Sequence, residues 1–270
     1  MGAMPELPEI HNLARQMDTQ LRGKSISAVE VRQEKCLNLS TEDFERDVVG
    51  EIIEAVDAHG KWIRVRMVSG KHFLLNLGMG ADLLYHDREP STDAFQVRLD
   101  LDGSSLTVRF WWFGHVHLIE SDEMDRHAMT AVLGPDAFDD DFTEERFLEL
   151  LEGRRGRIKS FLTNQRHLAG IGNVYIQDIL YRAGLHPERK IPTIPEGKRR
   201  ELYQVMRENL EEAVRLGGLS HEKDLHGRPG GVEGFLVGYR EDEACPGCGG
   251  AIEKIRVGST ASYVCSQCQQ

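Results

Sequence analysis

The chain is short of cysteine, proline and aromatic side chains. Only 5 of its 270 residues are cysteine, 9 are proline, and 7% are aromatic. Five cysteines are too few and too clustered to staple a disulfide scaffold of this length. No stretch approaches the uncharged apolar run that a membrane span requires, so no membrane partner is expected. A basic start followed by an apolar stretch is missing as well, which leaves no visible signal peptide and makes the cytoplasm the default address. Positive charge is scarce: 33 Lys and Arg face 44 Asp and Glu, for a net charge of −11. The deficit is confined to one half. Residues 1–150 carry −14, whereas residues 151–270 carry +3. Screening confines each charge to about one Debye length, so a basic patch can coexist with an acidic remainder. Charge therefore permits nucleic-acid binding without predicting it, and its asymmetry suggests two different domains.

What is present is a change of periodicity along the chain. Leu7, Ile10, Leu13, Ala14 and Met17 fall at helical spacing within residues 5–20. Pro5, Glu6 and Glu9 begin that run, a proline and acids suited to the positive end of a helix. Short alternating or apolar runs follow, from "SISAVEVR" to "LTVRFWWFGHVHLIE", with "SGK" and "DGSS" as hairpin turns. They predict an antiparallel sandwich or barrel. From about Phe142 the pattern turns helical, in "TEERFLELLEGRR", "RIKSFLTN", "IGNVYIQDILYRAGL" and residues 196–218, the last ending at the plausible cap Gly217-Gly218. The class is α+β.

The sharpest local signal is the tail. Cys245 and Cys248, then Cys265 and Cys268, form two C-x2-C pairs sixteen residues apart. Two tight turns joined by a β-hairpin bring four thiolates to one ion, which predicts a single structural Zn²⁺. Two disulfides are the alternative, disfavoured in a reducing compartment. Cys36 reads as an ordinary buried thiol. A second signal is Gly170-Ile171-Gly172-Asn173, a glycine-rich turn between helical runs that can offer backbone N–H groups to a phosphate. Arg157, Lys159 and Arg166 stand near it in sequence. A plain inter-helix turn explains those residues equally well.

Taken in order, "MPELPEI", "GKWI", "LNLGMGADLL", "FGHVHLI", "LGPDAF", "RIKSFLTNQRHLAGIGNVYIQDILYRAGLHP" and the four-cysteine tail resemble the formamidopyrimidine-DNA glycosylase and endonuclease VIII family of base-excision repair enzymes. The resemblance spans nearly the whole chain. It implies an N-terminal helix plus antiparallel β-sandwich (5–135), a helix–two-turn–helix domain (142–220), a lesion-capping loop and connector (221–243) and a β-hairpin zinc finger (244–270). It implies a monomer acting on double-stranded DNA that carries a damaged base or an abasic site. By this likeness Pro5 is the amine nucleophile, Glu6 the acid/base and Lys61 a phosphate ligand, with Glu9 supporting from the same helix. Asn173 and the Gly172 backbone take a flanking phosphate. Met79 fills the gap left by the flipped nucleotide.

The chain departs from the family in three places. "MGA" precedes Met4 and reads as a cloning remnant; while it is present Pro5 has no basic amine. Trp111 and Trp112 stand at arginine positions beside Phe113, which changes how the partner base is met and argues against an 8-oxoguanine:cytosine preference. Strand alternation would put the two tryptophans on opposite faces, one of them in the core. Ser259 and Thr260 occupy the region of an arginine that clamps phosphate, with Arg256 upstream as a substitute. In the capping loop His221, Lys223, His226 and Arg228 name no base. The expected function is a DNA glycosylase and abasic-site lyase; the alternative is a damaged-DNA binder without catalysis on the same scaffold.

Overall fold

Helix α1, Leu7–Leu21, begins at a proline-rich first turn and buries Leu7, Ile10, Leu13, Ala14, Met17 and Leu21 on one side. All of these but Leu7 belong to a core shared by two four-stranded antiparallel sheets. One sheet has the order β1-β6-β7-β5, from Ile26–Val31, Val97–Leu101, Ser104–Arg109 and Asp82–His86. The other has the order β2-β3-β4-β8, from Ile53–His59, Trp62–Met67, His72–Asn76 and His115–Ile119. The computed structural model describes residues 4–88 and 94–270, so the expectation for "MGA" lies outside the described residues. Sequence alternation placed the strands well, because one face of each sheet is buried and register is then strongly specified. One helix escaped that reading: α2, Thr41–Val48, capped by Ser40 Oγ, which accepts from Asp43 N at 3.1 Å.

The described chain divides into two compact units, and they cut it differently from the four expected segments. The first comprises Met1–Val132 with Val214–Val232, so the first part of the expected capping loop belongs with the sheets. The second comprises Leu133–Ala213 with Glu233–Gln270.

In the second unit, α3 (Glu144–Leu151) is capped by Thr143. Helices α4 (Ile158–Leu162) and α5 (Ile176–Arg182) flank the Gly170–Asn173 turn and are shorter than the apolar runs suggested. Helix α6 covers Glu196–Arg215. The tail forms a hairpin of β9 (Glu253–Val257) and β10 (Thr260–Val264), paired from Thr260↔Val257 to Val264↔Glu253. No helix among the described residues is long and apolar enough to cross a membrane.

Candidate functional site

Pro5 and Glu6 are both buried where α1 begins. Glu6 N donates to Glu9 Oε2 at 3.0 Å, a reciprocal cap that fixes the first turn. Glu9 Oε1 accepts a second backbone donor, Leu219 N, at 3.0 Å. Lys61 lies in the β2–β3 turn, and its Nζ lies 3.8 Å from Glu6 Oε1. The carboxylate of Pro5's neighbour thus faces an ammonium at low exposure, where charge interactions exceed their strength in water. Asn76 was not singled out by sequence, yet it organises this corner. Its Nδ2 donates to Lys61 O at 3.1 Å, and its Oδ1 accepts from Gly78 N at 3.2 Å, linking the lysine turn to the loop that carries Met79.

That loop is joined to the tryptophans. Met79 N donates to Trp112 O at 2.9 Å, and Trp111 N donates to Met79 O at 2.9 Å. The long run read as one strand is broken between β7 and β8, where Phe113 has a φ of 61°. The expected alternation therefore fails. Neither tryptophan is core: Trp111 is 60% exposed, Trp112 65% and Phe113 73%. Gly78 and Gly80 make the arrangement possible. A Cβ on Gly78 would lie 2.1 Å from Trp112 O, and one on Gly80 would lie 2.5 Å from the Trp111 ring. Three consecutive exposed aromatics, with a partly buried methionine bonded to them through the backbone, make this stretch of surface unusually apolar.

Behind the same corner sits an array that sequence reading missed. Buried Trp62 stacks on His115 at 6.1 Å, and His117 Nδ1 lies 2.9 Å from His127 Nε2. Burial, reinforced by His115 and His127, pushes His117 down to about 4, so the array is neutral at neutral pH.

In the second unit, Gln165 shapes the glycine turn. Gly170 N donates to its Oε1 at 2.8 Å, and its Nε2 donates to Ile171 O at 2.7 Å. The backbone N–H groups of Ile171, Gly172 and Asn173 have no acceptor among the described residues. Asn173 Oδ1 accepts from Gln177 Nε2 at 3.2 Å, leaving its own amide N–H groups for a ligand. Arg166 is exposed nearby in sequence. Arg157 is also exposed and pairs with Glu188 at 3.2 Å.

Lys159 does not join this set. It is 1% exposed, and its Nζ donates to Thr260 Oγ1 at 3.0 Å, Ala261 O at 2.7 Å and Ser262 Oγ at 2.6 Å. A buried ammonium committed to the finger hairpin cannot meet a phosphate in solvent. Thr260 is exposed but held by that lysine, and Arg256 Nε turns to Gly258 O at 3.3 Å. Cys36 is the inert thiol expected: buried, donating to Gln33 O at 2.9 Å, and pushed up to about 11 by burial.

The sulfurs of Cys245, Cys248, Cys265 and Cys268 all lie within 4.8 Å of one another. Two sulfur pairs stand at 3.7 and 3.4 Å, for Cys245–Cys268 and Cys248–Cys265. Tetrahedral zinc with Zn–S bonds of about 2.3 Å sets its sulfurs ~3.8 Å apart, so the donor set fits a closed metal site. Tyr181 Oη approaches Cys245 Sγ at 3.2 Å, and that contact, with burial, raises the phenol well above its ordinary range. Gly247 leaves room for it, since a Cβ there would lie 2.7 Å from the hydroxyl.

Known proteins share this architecture from end to end. The formamidopyrimidine-DNA glycosylase N-terminal domain family matches residues 4–111, and the formamidopyrimidine-DNA glycosylase H2TH domain family matches residues 133–224. A formamidopyrimidine-DNA glycosylase of Chloroflexus aurantiacus is 34% identical, over 98% of both chains. Its counterpart from Geotalea uraniireducens is also 34% identical, over 98% of this chain and all of the relative. Among solved structures, Lactococcus lactis Fpg in complex with DNA containing N7-benzyl-Fapy-dG superposes with a TM-score of 0.90 at 25% identity, covering 98% of this chain and 100% of that one. Fpg from Thermus thermophilus gives 0.87 at 28%, covering 98% of each. With both domain families matched in sequence order and relatives aligned over their whole length, the chain belongs to the formamidopyrimidine-DNA glycosylase family.

Proposed function

We propose that this chain excises a damaged base from double-stranded DNA and then nicks the abasic site, with the Pro5 amine as nucleophile once Pro5 is the first residue. The carrying observation is the buried turn in which Pro5 precedes Glu6 and Lys61 Nζ stands 3.8 Å from the Glu6 carboxylate. The secondary amine attacks the sugar C1′, the C1′–base bond breaks, and the base leaves with the electron pair and a proton. Glu6, fixed through Glu9, is placed to deliver and recover protons at the sugar. The C1′–O4′ bond then breaks, O4′ taking a proton from Glu6, and the nitrogen lone pair closes the C1′=N⁺ iminium; this acidifies the adjacent C2′–H, and loss of that proton expels the 3′ phosphate. Lys61 supplies a point charge for a phosphate. Asn173 and the free N–H groups of Ile171 and Gly172 form a cradle for another.

Relatives named for formamidopyrimidine-DNA glycosylase activity support this substrate class, as do Lactococcus lactis Fpg structures with Fapy-dG or abasic-site DNA. The partner base is met by aromatic surface: Trp111 stacks where bidentate reading of guanine would need a guanidinium. Tolerance of several opposite bases follows. The four cysteines hold one structural Zn²⁺, which braces the hairpin and takes no part in the chemistry.

Borohydride trapping on an oligonucleotide with one abasic site tests the reading. Protein beginning at Pro5 forms a covalent adduct; the chain with residues 1–4 attached does not, and Glu6→Gln slows excision of a damaged base. No adduct from well-folded, DNA-binding protein that begins at Pro5 refutes catalysis and leaves a damaged-DNA binder.

A further inference from the structure

Glu222 is a buried carboxyl in the first unit that the chemistry above does not use. It lies in the segment after α6, and that segment is fastened onto α1 and β5. Leu219 N donates to Glu9 Oε1 at 3.0 Å, and Leu225 N donates to Gln16 Oε1 at 2.8 Å. Gln16 Nε2 returns a bond to Asp224 Oδ2 at 3.2 Å, and Tyr85 N donates to Leu225 O at 2.8 Å. Gly218, at a φ of +88°, rides directly on Glu9: a Cβ there would lie 2.7 Å from Oε1.

In this position Glu222 is 7% exposed. Its carboxyl accepts no hydrogen bond among the described residues. His221 Nε2 stands 3.9 Å from Oε1, but burial lowers that imidazole below its ordinary range. The charged groups facing Glu222 are Glu9 from α1 and Asp82 from β5. Asp82 is already shared between Arg109 and Lys223, each at 2.9 Å. Glu9 receives two backbone N–H donors, which stabilise its ionised form. Glu222 has desolvation and two like charges but no donor. Burial first, then Glu9 and Asp82, raise it to about 8. The pair therefore divides its roles, with the charge on Glu9 and the proton on Glu222.

We propose that Glu222 is a positioning residue that works as a neutral acid: it lets the 217–232 segment lie on the Glu9 carboxylate and so keeps Glu9 locked under Glu6. This rests on the role given to Glu6 above. When Glu222 loses its proton, like charge between Glu222 and Glu9 lifts the segment and frees the Glu9 cap.

The test compares the full chain with Glu222→Gln, which keeps shape and polarity without a titrating proton. The native state retains a proton that the unfolded chain releases near pH ~4.3, so wild-type stability falls as pH rises from there to about 8. Midpoints of thermal unfolding should agree near pH 4, and the variant should lead by about 10 °C at pH 9. Amide exchange at Leu219 should be equal in the two proteins near pH 4, and progressively faster in wild type from there to about pH 8. With protein beginning at Pro5, the ratio of trapping rates at pH 9 and pH 7 should be at least threefold higher for the variant. A midpoint difference that is constant with pH overturns the proposal, as does Leu219 exchange that never separates the two proteins. Absence of trapping in both overturns the catalytic reading instead, while the first two measurements still decide the role of Glu222.

Discussion

Replacing Lys159 with methionine should unfasten the finger hairpin and leave the electrostatics of DNA binding untouched. The lysine gives three hydrogen bonds from one charged donor, to Thr260 Oγ1, Ala261 O and Ser262 Oγ. At about 1.5 kcal/mol for each bond from a charged group, the gross loss is about 4.5 kcal/mol. Methionine fills most of the volume and recovers about 1.5 kcal/mol through apolar burial. A net cost of about 3 kcal/mol follows, a large share of the roughly 5–15 kcal/mol that holds a domain folded. Because the partners are all at the start of β10, the cost should appear as local opening. Amide exchange from Thr260 to Val264 should accelerate about 100-fold, which is that 3 kcal/mol expressed as an opening constant. The companion measurement is the slope of log affinity against log salt on an abasic duplex. A lysine in contact with phosphate contributes about 0.9 to that slope; an internal lysine contributes nothing. Unchanged exchange, or a slope reduced by about one, would refute the assignment of Lys159 as an internal tie.

Other consequences can be checked in parallel. Trp111→Ala should weaken binding to a duplex with an abasic site by about 1–3 kcal/mol, nearly independently of the opposite base, because the ring is exposed and contributes stacking; a loss confined to one opposite base would contradict this. Cys248→Ser, or a strong chelator, should remove one metal ion per chain by atomic absorption and abolish DNA binding, while circular dichroism keeps the sheet signal of the first unit. His117 has a native pKa below its unfolded value, so its contribution is complete above about pH 6.5 and is lost as pH falls towards 4. Urea unfolding should show wild type losing about 2 kcal/mol more than His117→Gln across that window.

How far the sequence could be read depended on the distance between partners. Pro5, Glu6 and Glu9 share one helical turn, so the helix start was visible as spacing alone, whereas the reciprocal cap between Glu6 and Glu9 appears only in the structure. Each C-x2-C pair likewise carries its geometry locally. Lys159 looked like a phosphate ligand because it neighbours Arg157, but its partners lie about a hundred residues downstream and appear only on folding. Glu222 was silent for the same reason, since the carboxylate it faces is Glu9, on the first helix of the chain. The tryptophans were misplaced by assuming that alternation continued. β7 ends at Arg109, and the positive φ at Phe113 turns the chain before β8; no residue type in "FWWFG" announces that break except the glycine that follows. Asn76 and Gln165 are small polar residues whose function is to tie two turns together, and side chains of that kind leave no period in a sequence.

The paired backbone bonds between Met79 and Trp111–Trp112 carry one more implication. They tie the main chains of two distant stretches together, so Met79 and the two tryptophans share one backbone platform. The backbone freedom needed to bring those residues side by side is lost during folding, before any duplex arrives. A substitution at Gly78, whose Cβ would lie 2.1 Å from Trp112 O, should accordingly displace the methionine and the tryptophans together, even though the glycine has no side chain to offer DNA.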